Sequence, residues 1–395
     1  MTYSTQQPFS ELQYCIRCCM PETNEGIEFD ELGYCTACQA SEQKMHINWA
    51  ERRRELEKIL ENAKQKAGDN YDCIIPISGG KDSTFQLHLI TKVFNMKPLA
   101  VTFSHNWFSK IGFYNLMNAL EKFNVDHIMY TPNRALVNKL AKHSLYGVGD
   151  SCWHCHSGVG SFPLHIATKF KIPLLIWGES LAEMSGRGTH FNPIRKFDRE
   201  YFTKVSAKLT PTQMKNDELS SKDLFMFNLP TAKECEDVAL FGIHLGDYVF
   251  WDDERQVEFL IKEYDWKETE IEGAYKRYKS AECIMPGVHD ATCYLKRGFG
   301  RATWQASVDV RNGIMTREEG FKLINEVDPV RPDALDYYLD ITGLKEQEYL
   351  NIMEKHRVEQ LKGKSIPIKL KEPNQRKQIK PFIQSFIEEM QLETD

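Results

Sequence analysis

The segment DCIIPISGGKDSTFQ, residues 72–86, decides how this chain is read. DCIIPI has the length and apolar character of a buried strand, and the pattern from Lys81 through His88 and Leu89 is that of a helix. Between them, Gly79 and Gly80 let the backbone turn tightly, so that successive N–H groups and the helix N-terminus converge on anionic oxygens. Ser78 and Ser83 offer further hydrogen bonds, Lys81 a positive charge, and Asp82 a group to orient the loop or hold Mg²⁺. A Walker A loop needs a glycine where Ile75 stands, so this is a different phosphate loop. A Gly-Gly turn can also be a plain strand-to-helix connection, but the whole SGGKDS set in this context favours phosphate binding.

Outward from the loop, the apolar runs DCIIPI (72–77), PLAVTF (98–103), DHIMYT (126–131) and IPLLIW (172–177) alternate with helix-period segments near 82–95, 111–124, 133–146 and 160–171. That rhythm predicts an α/β fold, a doubly wound and mostly parallel sheet with ligands at the carboxyl ends of its strands. Residues 71–200 are assigned to this unit and 47–70 to a connecting helix with Leu56, Ile59 and Leu60 on one stripe. Residues 201–395 are read as a mainly helical region that binds substrate or a partner, its tail broken by Pro329, Pro332, Pro367 and Pro373.

Residues 1–46 are read as a zinc ribbon. Cys15-x₂-Cys18 and Cys35-x₂-Cys38, 16 residues apart, have the spacing of a closed four-thiolate Zn²⁺ site, which supplies folding energy to a segment too small for its own core. Cys19 is a spectator or a substitute for Cys18. A second group, CWHCH (152–156), carries the letters of a haem attachment motif, but covalent haem needs export and nothing else supports that. Cys152 and Cys155 can bind a metal or an iron–sulfur cluster with a third ligand such as Cys293 or a histidine. They can instead line a pocket with His154 and His156, or be buried thiols. Cys73, Cys235 and Cys283 are read as ordinary core or surface residues.

In GVHDATCYLKRGFGRATWQASVDVRNG (287–313), Lys296, Arg297, Arg301 and Arg311 surround Gly298 and Gly300. Arginine forks can grip an anionic sugar or pyrophosphate, though a solvated basic turn fits too. His289 and Asp290 are either an acid–base pair or part of a turn.

The composition sets outer limits. The 395 residues are 42% hydrophobic and 27% charged, a globular profile of about two to three units. A net charge of −6 lacks the basic excess of a nucleic-acid binder. No apolar run reaches membrane-spanning length, and the first residues have neither the basic nor the apolar part of a signal peptide. We therefore expect a cytoplasmic protein that binds neither membrane nor nucleic acid, in which 11 cysteines do not form a disulfide framework.

SGGKDS after a strand resembles the PP-loop of ATP pyrophosphatases, an adenine nucleotide α-hydrolase-like superfamily that cleaves ATP between its α and β phosphates. That resemblance implies adenylation of a substrate oxygen. It also implies that Phe103 and Ser104, with Trp177, Gly178 and Glu179, enclose the adenosine and the activated oxygen. Gly178 would permit close backbone approach, and Glu179 would reach metal or substrate or else serve as an N-cap or surface carboxylate. Taken together, CIRCCMPET, GYCTAC, CIIPISGGKDSTFQ, IPLLIWGES and GVHDATCYLKRGFGRAT resemble the N-acetyl sugar amidotransferase family of bacterial surface-glycan biosynthesis. CWHCHSGVG points to the branch acting on nonulosonic acids such as pseudaminic or legionaminic acid. The family implies conversion of an acetamido to an acetamidino group through an adenylated imidate, with ATP and Mg²⁺ and with Lys81, Asp82 and Ser83 as catalytic residues. No glutaminase nucleophile is evident, so ammonia would come from a separate glutaminase partner or from solution. The alternative reading is a PP-loop tRNA sulfurtransferase with a metal or iron–sulfur site at Cys152 and Cys155.

Overall fold

The structure, a computed structural model, describes residues 5–180, 182, 189–191, 193 and 207–392. Its centre is a five-stranded sheet of β1 (Cys73–Pro76), β2 (Pro98–Phe103), β3 (Asp126–Tyr130), β4 (Leu174–Trp177) and β5 (Phe241–His244). All neighbours are parallel, in the order β3-β2-β1-β4-β5. The chain winds outward from β1 to β3 and then returns to β1's other side, so β1 and β4 flank the switch point where open α/β sheets bind ligands.

Both faces are covered, which is why the strands read as nearly unbroken apolar runs. Cys73, Ile75, Ile77, Ala100, Leu174 and Ile176 face α2 (Trp49–Ala67), α3 (Lys81–His88) and α4 (Lys110–Phe123). On the opposite face Ile74, Leu99, Val101, Phe103 and Leu175 meet α5 (Arg134–Val148) and α6 (Trp153–Phe170). The segment expected to be a connecting helix is therefore a structural layer, with Leu56, Leu60 and Ala63 of α2 buried in the core. Among the described residues, no helix is long and apolar enough to cross a membrane.

Three expectations need correction. The sheet does not end with the 71–200 unit, because β5 pairs along β4, with Leu174 opposite Phe241 and Trp177 opposite His244. The 200/201 boundary itself lies outside the described residues. Residues 207–285 are not mainly helical: besides β5 they hold one long helix, α7 (Asp253–Tyr264), and two short helical stretches, Pro211–Met214 capped by Thr210 and Ala232–Asp237 capped by Thr231. Leu219, Leu224 and Phe227 of this loop-rich stretch fill the sheet's second core instead. The Gly/Arg-rich run is not a turn. It forms α8 (Pro286–Arg297) and α9 (Arg301–Arg311), separated at Gly298, whose φ of +79° ends α8.

The C-terminal region continues with α10 (Arg317–Val327), α11 (Ala334–Thr342), α12 (Glu346–Lys355) and α13 (Phe382–Leu392). The cysteine-rich N-terminal segment, with α1 (Thr36–Lys44), sits on this region: Phe9, Leu12 and Tyr14 pack with Tyr294, Phe321, Ile324 and Leu361. Thr23 Oγ1 donates to the carbonyl of Arg297 at 2.7 Å. Cys19 belongs to this seam, its thiol donating to the Arg317 carbonyl at 3.6 Å, and does not substitute for Cys18.

Candidate active site

The 78–83 loop leaves the carboxyl end of β1 and enters α3 with Gly80 as N-cap. Gly79 turns it at φ +85°, and a Cβ there would lie 2.7 Å from both the Gly112 carbonyl oxygen and the Leu116 nitrogen of α4. Backbone cannot yield as a side chain can. We expect Gly79→Ala to cost about 2–4 kcal/mol, combining left-handed strain with overpacking, seen as a lowered thermal midpoint. Within the loop, the Ser78 N–H donates to Ser83 Oγ at 3.3 Å, Ser83 Oγ donates to the Gly80 carbonyl at 3.1 Å, and the Gly80 N–H donates to Ser78 Oγ at 3.2 Å. Both serines thus shape the loop. Trp266 Nε1 braces it from outside by donating to the Gly79 carbonyl at 3.0 Å.

Lys81 is almost fully buried, 2% exposed, within a ring of carboxylates. Its ammonium contacts Asp82, reaches Asp253 at 2.6 Å and stands 3.9 Å from Glu179. A second lysine, Lys279, bonds Asp253 at 2.5 Å and Glu179 at 3.3 Å. Burial disfavours both ammonium ions, yet Asp253 and Asp82 hold Lys81 above its ordinary range, while Asp253 and Glu179 hold Lys279 well above it. Burial likewise pushes Asp253 upward, but Lys279 and Lys81 overrule it and keep that carboxyl well below the usual carboxylate range. Glu179 goes the other way, raised by burial and by Asp82. One oxygen each from Asp82, Glu179 and Asp253 lie within 4.8 Å of one another. This oxygen-only set suits a hard divalent cation, and both lysines pair with it.

Several of these groups carried no legible signal in the sequence. Asp253 sits in the first turn of α7 behind its N-cap Asp252, so WDDER reads as an ordinary helix start; β5 and the short turn after it bring it to the loop. Lys279 and Glu282 lie on an irregular strap fastened beside β2, with Ile284 N–H donating to the Trp107 carbonyl at 2.9 Å and Ser109 N–H to the Glu282 carbonyl at 3.0 Å. A Cβ on Gly80 would lie 3.2 Å from Glu282 Oε2, which puts this carboxyl, raised by burial, at the mouth of the loop.

Of the strand-end residues, Glu179 joins the site and Phe103 does not. Phe103 is core, its ring against Phe227 and Tyr130 at centroid distances of 5.6 and 6.0 Å, because the strand's alternation turns it onto the α6 face. Gly178 serves packing: a Cβ there would meet Gln86 Nε2 at 2.5 Å and Trp251 at 3.2 Å.

The basic run divides between two tasks. Arg301 grips Asp290 through Nε at 2.5 Å and Nη2 at 3.3 Å, and His289 Nδ1 lies 3.2 Å from Asp290 Oδ1. Lys296 is buried, its ammonium donating to the Val148 carbonyl at 3.2 Å. Arg297 points away to pair with Glu25 of the N-terminal segment, so it docks that segment and does not belong to the substrate group. We expect Arg297→Ala to lower stability by about 0.5–1 kcal/mol, the scale of a partly exposed ion pair, with the substrate KM unchanged in steady-state assays.

Cys152 caps α6, and Cys155 lies in its first turn. Burial raises the Cys152 thiol well above its ordinary range and pushes Cys155 up to about 12. Among the described residues, no group of three converging metal-ligating side chains includes Cys152, Cys155 or Cys293. The ligand-competent groups at this loop are Asp150 and His156, which meet His289. Cys15, Cys18, Cys35 and Cys38 do converge, all fully buried, with Sγ–Sγ distances of 3.7 Å for Cys15–Cys38 and Cys18–Cys35. Tetrahedral zinc at Zn–S of about 2.3 Å sets its sulfurs roughly 3.8 Å apart, so the four thiols fit one such ion. Arg311 Nη1 approaches Cys18 Sγ at 3.8 Å and tempers the thiolate charge.

Residues 272–373 match the model of the C-terminal domain of WbpG-like LPS biosynthesis proteins. Over these residues, about a quarter of its length, the chain is similar to that domain. The matched segment contains GVHDATCYLKRGFGRAT, one of the motifs carrying the sugar amidotransferase resemblance. An uncharacterised protein of Methanocaldococcus jannaschii is 32% identical over 105 residues, 27% of this chain and 37% of that protein's own length. Among solved structures, an NMN synthetase from Francisella tularensis overlays with a TM-score of 0.28 at 13% identity, covering 49% of this chain and 92% of that one. An NH₃-dependent NAD synthetase from Campylobacter jejuni overlays at 0.26 and 11% identity, covering 57% and 99%. At such scores the fold assignment rests on the sheet order and the loop. The matched segment contains Lys279 and Glu282, which reach the carboxylates and the 78–83 loop, and also His289, Asp290 and Arg301.

Proposed function

We propose that this chain is an ATP-dependent amidotransferase that converts an acetamido group of a surface-glycan sugar to acetamidino. A nonulosonic acid of the pseudaminic or legionaminic type is the favoured substrate. The observation that carries this reading is the placement of the SGGKDS loop at the sheet's switch point, with Lys81 and Lys279 poised over three carboxylates and a WbpG-like domain opposite.

The amide oxygen attacks the α phosphorus of ATP, the bond to the bridging oxygen of the β phosphate breaks, and pyrophosphate leaves. Ammonia then adds to the imidate carbon, the carbon–oxygen bond breaks, and AMP departs with the former amide oxygen. Adenylation matters because an amide oxygen is otherwise a poor leaving group. The loop amides and the two ammonium ions stabilise charge that grows on the departing diphosphate, which is where preorganised donors contribute most. Asp82, Glu179 and Asp253 would hold Mg²⁺; a divalent cation bound there neutralises phosphate charge. Glu282, at the loop's mouth, is placed to take a proton from the attacking ammonia.

Ammonia comes from solution or from a separate glutaminase. Supporting this, burial raises the thiols of Cys152, Cys155, Cys283 and Cys293, the reverse of what an activated glutaminase nucleophile needs. Zinc in the four-cysteine site is structural, since four protein ligands leave no open position.

The test is incubation with ATP, Mg²⁺, ammonium and a panel of acetamido sugars, reading pyrophosphate release and product mass. We expect release that depends on one sugar class, with oxygen replaced by NH in the product. Release stimulated only by tRNA would replace this reading with sulfur transfer.

A further inference from the structure

We propose that Asp150, His156 and His289 form a metal site of their own, for a divalent transition ion of the zinc type, separate from the four-cysteine ribbon and from the carboxylates beside Lys81. One ligand-competent atom from each of the three lies within 4.8 Å of the others. Ligand atoms around a bound zinc ion sit about 3.4 Å apart at metal–ligand lengths of roughly 2.0–2.2 Å, so small side-chain rotations close the set. Two imidazoles and one carboxylate select borderline ions over Mg²⁺, unlike the oxygen-only trio.

The supporting shell is already in place. His289 Nδ1 is 3.2 Å from Asp290 Oδ1, leaving Nε2 as the ligand nitrogen, and Arg301 holds Asp290 from the far side with Nε at 2.5 Å. A carboxylate behind a ligating histidine is the usual means of fixing its tautomer and orientation. The Cys152 N–H donates to Asp150 Oδ1 at 2.7 Å and aims that buried carboxylate. His156, in the first turn of α6, places its ring centroid 5.4 Å from that of His289. Both histidines remain partly accessible, so a bound ion would keep positions open to a further ligand. Asp150 and His156 come from the α/β unit and His289 from the WbpG-like domain, and the strap bearing Glu282 leads directly into α8. An ion there would anchor oxygens of a ligand, such as a carboxylate or vicinal hydroxyls, where these two segments meet.

This inference does not rest on the amidotransferase reading, and its test needs neither ATP nor sugar. The full-length metal-free protein is titrated with Co²⁺ in excess Mg²⁺, which keeps the carboxylate trio out of the count. Two equivalents are expected: one with the intense thiolate-to-cobalt absorption of a four-cysteine site, the other with weak ligand-field bands only. His289→Gln and His156→Gln should each remove the second equivalent while the thiolate band and the thermal midpoint of the protein stay unchanged, the latter reporting an intact fold. A wild-type chain that takes up one equivalent, all in the thiolate band, overturns the proposal. So does either variant that keeps both.

Discussion

Lys81→Met is expected to lower ATP-dependent pyrophosphate release by about 10²–10³-fold or more, the loss typical when one preorganised donor to a developing anion is removed. The substitution keeps the length of the side chain and deletes only the charge. Because the ammonium acts on charge that appears as the diphosphate leaves, the loss should fall on kcat more than on the KM for ATP. Folding is a fair concern, since Lys81 neutralises Asp82 and Asp253 in a buried setting. Lys279 still holds Asp253 and Glu179, so the stability cost should stay below the roughly 3–5 kcal/mol of a stranded buried ion. A thermal scan beside the assay separates the two effects. Arg in place of Lys should not rescue, because its planar fork does not fit a site built around a compact ammonium. Activity retained in Lys81→Met would remove the loop as the seat of the departing diphosphate.

Cys35→Ser carries the second large effect. It should release the ribbon's metal ion and destabilise the N-terminal segment by at least about 4 kcal/mol, in the range reserved for lost metal sites and disulfides. The ribbon has little core apart from its ligands: Met20, Ile27 and Ala37 are its main buried apolar companions. Its loss also frees the seam where Phe9, Leu12 and Tyr14 meet Tyr294 and Phe321, so the WbpG-like domain should become more sensitive to protease near α8 and α10. Metal analysis and limited proteolysis check both parts. Unchanged metal content in the variant would exclude Cys35 as a ligand.

The elements legible from sequence share a property: their signal lies within one short window. SGGKDS states its turn through two adjacent glycines and its helix through the residues that follow. The two Cys-x₂-Cys pairs state a tetrahedral site, because metal geometry restricts ligand spacing. The strands β1, β2 and β4 are apolar on both faces and stand out as runs, whereas the edge strand β3 shows only the short stretch Ile128–Tyr130 after Asp126 and His127. By contrast β5 is only FGIH, four residues with no period of its own, and it is a strand because β4 offers an unpaired edge. The 287–313 run shows how context overrides letters. Gly298 and Gly300 mark one break between two helices, and its cations Arg301, Lys296, Arg297 and Arg311 go to Asp290, Val148, Glu25 and Cys18, partners far apart in the chain.

The sequence by itself determined the glycine-turned loop between β1 and α3, the convergence of two Cys-x₂-Cys pairs and the parallel α/β core, since each follows from local backbone freedom, ligand spacing or apolar periodicity. Only the tertiary structure decided that Asp253 and Lys279 complete the loop, that Phe103 is core, that Arg297 docks the ribbon, and that His156 finds His289. Those assignments depend on which side chains meet across the sheet's switch point and along the strap. That meeting is set by the packing of whole helices, and no short stretch of residues contains it.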